Sequence, residues 1–203
     1  DYNLDRINRA DGPEDRSGPE RCFGFSLPVL LQSGTFGGVA RIVQSPGSVG
    51  IQYDMGQGQG FNRIIPITDL PHLPEHMRQR YGDSRGRWEG DTFVVQSSGF
   101  DERSWLTENR QDRRFGYTHS DALRTEERYR RVDYNTMEVT LTITDPKTFT
   151  EPWVTTGNLL RSPRTEIGEY FCVPSDSFDY IDSVLRPAIG PEAQGIAVGT
   201  GNN

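Results

Sequence analysis

Apolar and polar positions alternate most regularly over residues 136–144, where Met137, Val139, Leu141 and Ile143 interleave with Thr136, Glu138, Thr140, Thr142 and Thr144. Side chains on a strand point to opposite faces in turn, so this pattern predicts a strand with one face buried and one wet. A strand over 122–132 precedes it through Asp133-Tyr134-Asn135, and another over 148–155 follows Asp145-Pro146-Lys147. Connections this short leave successive strands antiparallel and adjacent, which is a meander. Upstream, Val39–Gln44 and Val49–Tyr53 flank Ser45-Pro46-Gly47-Ser48 and predict a hairpin. Trp88 and Phe93-Val94-Val95 bracket Glu89-Gly90-Asp91-Thr92 and predict a second. Between the two hairpins, Met55–Gly60 reads as a Gly/Gln loop, followed by a strand over 61–67 whose Pro66 suits an edge or a bulge.

Helical patterning is scarce. Residues 74–81 allow two turns, with Pro74 early and Gly82 just past the end, and residues 177–185 allow two more behind a Ser cap. Counting runs gives about eight strands at the spacing of sandwiches and barrels. The predicted fold is therefore all-β, an antiparallel meander closing into a barrel, or else a sandwich, with two short helices and extended terminal arms. The chain divides into a polar N-terminal arm over 1–21, a β-barrel-like domain over 22–189 and a Gly-rich tail over 190–203. No internal repeat interrupts this plan.

Composition narrows the classes. At 203 residues the chain suits one sizeable domain, and its 33% hydrophobic and 10% aromatic content is low in apolar residues yet able to build a core. No apolar run approaches the ~18–20 residues of a bilayer helix, so no membrane span is expected. A net charge of -7 argues against nucleic acid, which binds through a basic footprint. Lys147 is the only lysine, the rest of the 22 basic residues being arginine. Such a surface favours fixed bidentate contacts with carboxylates, although a GC-rich genome gives the same bias.

Cys22 and Cys172 are the only cysteines, and neither has a Cys or His neighbour at metal-ligand spacing. They read as a disulfide, which implies an oxidising compartment. The sequence starts at Asp1 with neither Met nor an apolar leader, as a mature chain does after signal-peptide removal. A secreted or periplasmic location is the expectation.

Several residues carry possible chemistry. Glu127 shares its strand face with Leu123, Thr125 and Tyr129, so an inward face would place a carboxylate among apolar neighbours. Such a group is costly unless paired, and a perturbed acid in a cavity is a candidate general acid or base. The plainer alternative is an ion pair with an arginine of a neighbouring strand. The run Gly82–Thr92 gathers Asp83, Glu89 and Asp91 with Arg85, Arg87 and Trp88. It offers an acid/base pair of Asp83 and Glu89, an Arg85 clamp, and an aromatic platform for a sugar from Trp88 with Arg87. Turn chemistry explains the same residues, since Asp, Ser and Thr cap loops. His72, His76 and His119 are the three histidines, and nothing gathers them on one face, so neither a metal nor a cofactor is expected. His119, beside Ser120 and Asp121, is a candidate ligand contact or a cap on the following strand. Ser84 fits Gly-x-Ser-x-Gly as text, but a nucleophile elbow needs a strand before the Ser and a helix after it, and here that order is reversed.

Pro71-His72-Leu73-Pro74, Gly82–Val95, His119–Leu123, Glu127-Arg128-Tyr129, Thr144–Lys147 and Pro152-Trp153 together resemble a large family of uncharacterised exported bacterial proteins, abundant in soil groups such as the acidobacteria. The resemblance spans residues 20–175 and implies a signal peptide and one domain. It brings no activity, and after Cys172 the chain departs from it.

Residues 1–21 and 190–203 cannot order themselves by burial, so order comes from docking on their own domain or on a neighbour. A strand-like tail, Gly195–Gly201, can add to an open sheet edge, and repeated head-to-tail docking makes an open filament. The first expectation is a secreted structural protein that self-associates through its arms, with Tyr2–Arg9 and Gly195–Gly201 as contacts. The second is a secreted lyase or hydrolase, or a glycan-binding module, working from the barrel mouth. In that case Glu127, Asp83, Arg85 and Glu89 supply the chemistry, and Trp88, Arg87 and His119 hold a glycan or small molecule.

Overall fold

The computed structural model describes residues 39–54, 61–101, 106–108 and 116–163. The strands are β1 (Val39–Ser45), β2 (Ser48–Asp54), β3 (Phe61–Pro66), β4 (Asp83–Glu89), β5 (Thr92–Ser98), β6 (Thr107–Glu108), β7 (Gly116–Tyr117), β8 (Arg124–Arg131), β9 (Thr136–Thr144) and β10 (Trp153–Leu160). No helix occurs among the described residues. One sheet has the order β1-β2-β3 and the other β10-β9-β8-β5-β4, with β6 and β7 forming a small ribbon. All paired strands in these sheets are antiparallel. Both predicted hairpins are present, turning at Pro46-Gly47 and at Gly90-Asp91, where Gly90 takes the left-handed φ of 64° that a side chain would resist.

The two sheets bury a common core, in the manner of a sandwich. Val49, Ile51, Tyr53 and Ile65 come from the three-stranded sheet, and Phe93, Val95, Tyr129, Val139, Leu141 and Ile143 from the five-stranded one. Period-two alternation places each of these on an inner face. The segment leaving β3 meets the five-stranded sheet at Gly86 on β4. There Ile67 bridges to Gly86 in parallel, and the Thr68 amide donates to the Gly86 carbonyl at 3.1 Å. A Cβ on Gly86 would sit 2.5 Å from the Phe93 ring and 3.0 Å from Ile65, so the absent side chain is what permits this approach.

Four sequence expectations are revised. Residues 74–81 form turns in place of a helix: the Met77 amide donates to Pro74, and Gln79 bridges to Phe100 as a strand would. That docking takes the backbone groups a helix would have used. The strand expected over 148–155 begins later, at Trp153, because the buried Asp145 carboxylate accepts from the Ser120 amide, the Ser120 hydroxyl, the Thr148 hydroxyl and the Lys147 amide. This holds 145–149 in a turn. The run Asp83–Glu89, equally readable as turn chemistry, is a strand. Finally, the described strands do not close into a barrel, since β1 and β10 each end a sheet. The helix expected over 177–185, the terminal arms and both cysteines lie outside the described residues.

Candidate functional site

Glu127 is wholly buried, at 0% exposure, as its inward strand position requires. Its partner is Arg63, which shares the inner face of β3 with Ile65. The guanidinium grips the carboxylate in a planar fork, Nη1 to Oε2 and Nη2 to Oε1, both at 2.8 Å. Tyr129 donates its hydroxyl to Oε2 at 2.6 Å. On the other side, Arg63 Nε and Nη2 donate to Ser84 Oγ at 3.2 and 3.0 Å, and Nη2 also reaches Ser97 Oγ at 2.9 Å. The two hydroxyls lie 2.9 Å apart. A polar knot of β3, β4, β5 and β8 thus sits within the apolar core.

Burial alone disfavours the Arg63 charge, but the Glu127 carboxylate beside it more than compensates and raises its pKa. Burial and then the Glu127 charge push the Tyr129 phenol well above its ordinary value, so it remains a donor. Glu127 has its carboxylate engaged by Arg63 and Tyr129, and no face turned to solvent. Its place in the structure is that of a clamp between sheets.

The remaining candidates are scattered. Alternation along β4 sends Ser84, Gly86 and Trp88 inward and Asp83, Arg85, Arg87 and Glu89 outward. Asp83, at the start of the strand, accepts from the Leu73 amide at 3.0 Å, pairs with His72 Nδ1 at 3.0 Å, and accepts from Arg85 Nη1 at 2.6 Å. Burial opposes the Asp83 charge, yet these donors hold its pKa below the usual carboxylate range. Arg85 also reaches the Pro71 carbonyl at 3.2 Å, so this group fastens the 71–73 loop to the sheet. Since His72 and Asp83 lie on the outer side and Ser84 lies within, strand geometry keeps the three from forming a nucleophilic triad.

Glu89 lies at the far end of β4. It pairs with Arg87 Nη2 at 2.7 Å and Arg128 Nη2 at 2.6 Å, first Arg128 and then Arg87 lowering its pKa. Arg128 reaches on to Glu126 at 3.4 Å, and Gln96 donates to the same carboxylate at 3.0 Å. Val94 stands directly between Arg87 and Arg128 in register and is fully buried on the outer face. The two arginines flank it on the same face with their side chains partly exposed.

Trp88 leans on Phe93 with ring centroids 5.1 Å apart, on the opposite face from Arg87. His119 is buried at the other end of the sheet, edge-on to Phe100 at 6.0 Å, with Nδ1 2.9 Å from the Ser120 carbonyl. The structure therefore brings Asp83 together with Arg85, and Arg87 with Glu89, but does not assemble either set with Glu127 or His119. No group of three or more metal-ligating side chains occurs among the described residues. The residues that sequence reasoning did not single out are Arg63, Ser97 and Asp145. Arg63 was readable from its alternation with Ile65 and Ile67, and Ser97 from its alternation with Phe93 and Val95. No family model, curated protein or solved structure matches the chain.

Proposed function

We propose that this protein is a secreted structural module that self-associates by strand addition, its terminal arms supplying contacts between copies and extending them into a filament. The observation that carries this reading is the pair of open sheet edges. Among the described residues, nothing pairs with the outer side of β1 or β10, and both present exposed apolar side chains: Ile42 and Val43 on β1, and Trp153, Val154 and Leu160 on β10. An open apolar edge is a template for another strand. The uncharged segment Gly195–Gly201 has the length and composition to supply one, and Val39–Ser45 is the edge we assign to it.

The enzyme reading lacks comparable support. Its central acid is locked in an internal ion pair, and its other residues point to different faces. Sedimentation of the full-length chain tests the proposal. Assemblies larger than the 22.9 kDa monomer are expected. Val198→Pro, which removes a donor from the middle of the added strand, is expected to shorten them. A wild-type chain that stays monomeric over a wide concentration range would overturn the proposal.

A further inference from the structure

The two edges of the five-stranded sheet are built differently. β4 carries Asp83, Arg85, Arg87 and Glu89 and is approached by Ile67 at Gly86. Charges and a covering segment are the usual means of keeping foreign strands off an edge. β10 has neither. Its eight residues, Trp-Val-Thr-Thr-Gly-Asn-Leu-Leu, include no charge and no proline. Its register with β9 runs from Trp153↔Ile143 to Leu160↔Thr136 without a bulge. Trp153 is 45% exposed, Val154 57% and Leu160 74%. Gly157 lies open as well, with nothing within 4 Å of where a Cβ would stand.

From this contrast we infer that β10 is the surface through which two copies of the chain pair, edge to edge and antiparallel, about a two-fold axis. The inference rests on the self-association reading and adds a contact distinct from the arms. The argument for a second copy as occupant is self-complementarity. A two-fold axis perpendicular to the sheet makes the strands antiparallel and keeps each inner face on the same side. Residues opposite one another must then share a face. Trp153, Thr155, Gly157 and Leu159 point inward, and Val154, Thr156, Asn158 and Leu160 outward.

Several registers meet this condition, and the one we assign is the one that covers Trp153. It sets Trp153 opposite Leu159 of the second copy, Thr155 opposite Gly157, Val154 opposite Asn158, and Thr156 opposite itself. Both exposed tryptophans then pack on leucine, and large side chains close over the bare stretch at Gly157. Charge points the same way. Each chain carries a net -7, so two copies repel overall, and an uncharged seam such as β10 is where that repulsion is smallest. The result is one continuous sheet with five strands from each copy. A single pair of strands this short makes a small interface, so the pairing depends on concentration.

Thr156 provides the test, because it faces its own counterpart across the axis. In full-length chains, Thr156→Lys and Thr156→Glu each place like charges opposite one another, and each variant alone is expected to halve the mass of the paired species. Mixed in equal amounts, they are expected to form Lys–Glu heterodimers, read by native mass spectrometry. Heterodimers also show that both variants are folded. If either variant alone pairs as strongly as wild type, or if the mixture does not pair while wild type does, β10 is not the contact between copies. A mass change with Val198→Pro but none with either Thr156 variant would overturn this inference and leave the arm-mediated reading standing. A wild-type chain that is monomeric throughout removes both.

Discussion

Arg63 and Glu127 form an ion pair whose value depends on having both members. Bringing either charge into the core is costly, and the fork of two 2.8 Å bonds, with Tyr129, Ser84 and Ser97 around it, offsets that cost. Removing one partner strands the other. Arg63→Met should therefore destabilise by about 3–5 kcal/mol in denaturant melts. The double variant Arg63→Met/Glu127→Leu should recover most of that loss, because no buried charge remains. If the double variant is as unstable as the single one, the pair contributes stability of its own and this account is wrong. The inward face of Glu127 was legible from Leu123, Thr125 and Tyr129 around it, and so was its need for an arginine. The inward position of Arg63 was legible from Ile65 and Ile67, but its pairing with Glu127 was not: the two residues are far apart in sequence, and their contact depends on how one sheet packs on the other. Asp145 was hidden for a related reason. Its donors Thr148 and Lys147 are local, but the Ser120 amide and hydroxyl arrive from across the fold.

Strand β9 was readable to the residue because its alternation is uninterrupted, and the antiparallel placement of its neighbours followed from the chain order, although β10 begins later than expected. Strand β4 was harder. Asp, Ser, Arg and Gly have weak strand preference, and their sequence suits a turn as well. Tertiary contacts decide the matter: Ser84 joins the Arg63 knot, Asp83 and Arg85 anchor the 71–73 loop, and Gly86 admits Phe93 and Ile65. In an ordinary strand, glycine-to-alanine is mildly favourable because it restrains the unfolded chain. At Gly86 the sign should reverse, since the new methyl would meet the Phe93 ring at 2.5 Å and Ile65 at 3.0 Å. Gly86→Ala should cost roughly 1–3 kcal/mol through overpacking. Gly157→Ala, in open space on the same sheet, is the control and should cost nothing of that kind. Equal effects at the two sites in thermal melts would show that Gly86 does not set the approach of the sheets.

At the scale of the whole molecule, the described strands run from a doubly covered centre to edges with a single partner. β5 and β8 lie inside the five-stranded sheet, with apolar side chains and the Arg63–Glu127 clamp on one face and the arginine–glutamate lattice flanking Val94 on the other. Among the described residues, β1 and β10 have a hydrogen-bonded neighbour on one side only. Local opening should follow that gradient, because an edge strand can detach without breaking the core, whereas β5 and β8 cannot. Amide hydrogen exchange on dilute protein should show β5, β8 and β9 exchanging slowest, with β1 and the outward amides of β10 fastest. Raising the protein concentration adds a second strand at β10, so its outward amides should slow while those of β5 and β8, already limited by global opening, change little. A uniform slowing across all strands would mean that association stabilises the body as a whole without covering an edge. No slowing at β10, in a chain that does assemble, would mean that copies meet by surfaces other than β10. The margins are thus the part of the fold whose behaviour depends on a neighbour, and the alternating pattern that marks the core so clearly carries no comparable mark for an edge. Apart from β3, which Pro66 marked, an edge strand and a central one read alike until the pairing of every strand is known.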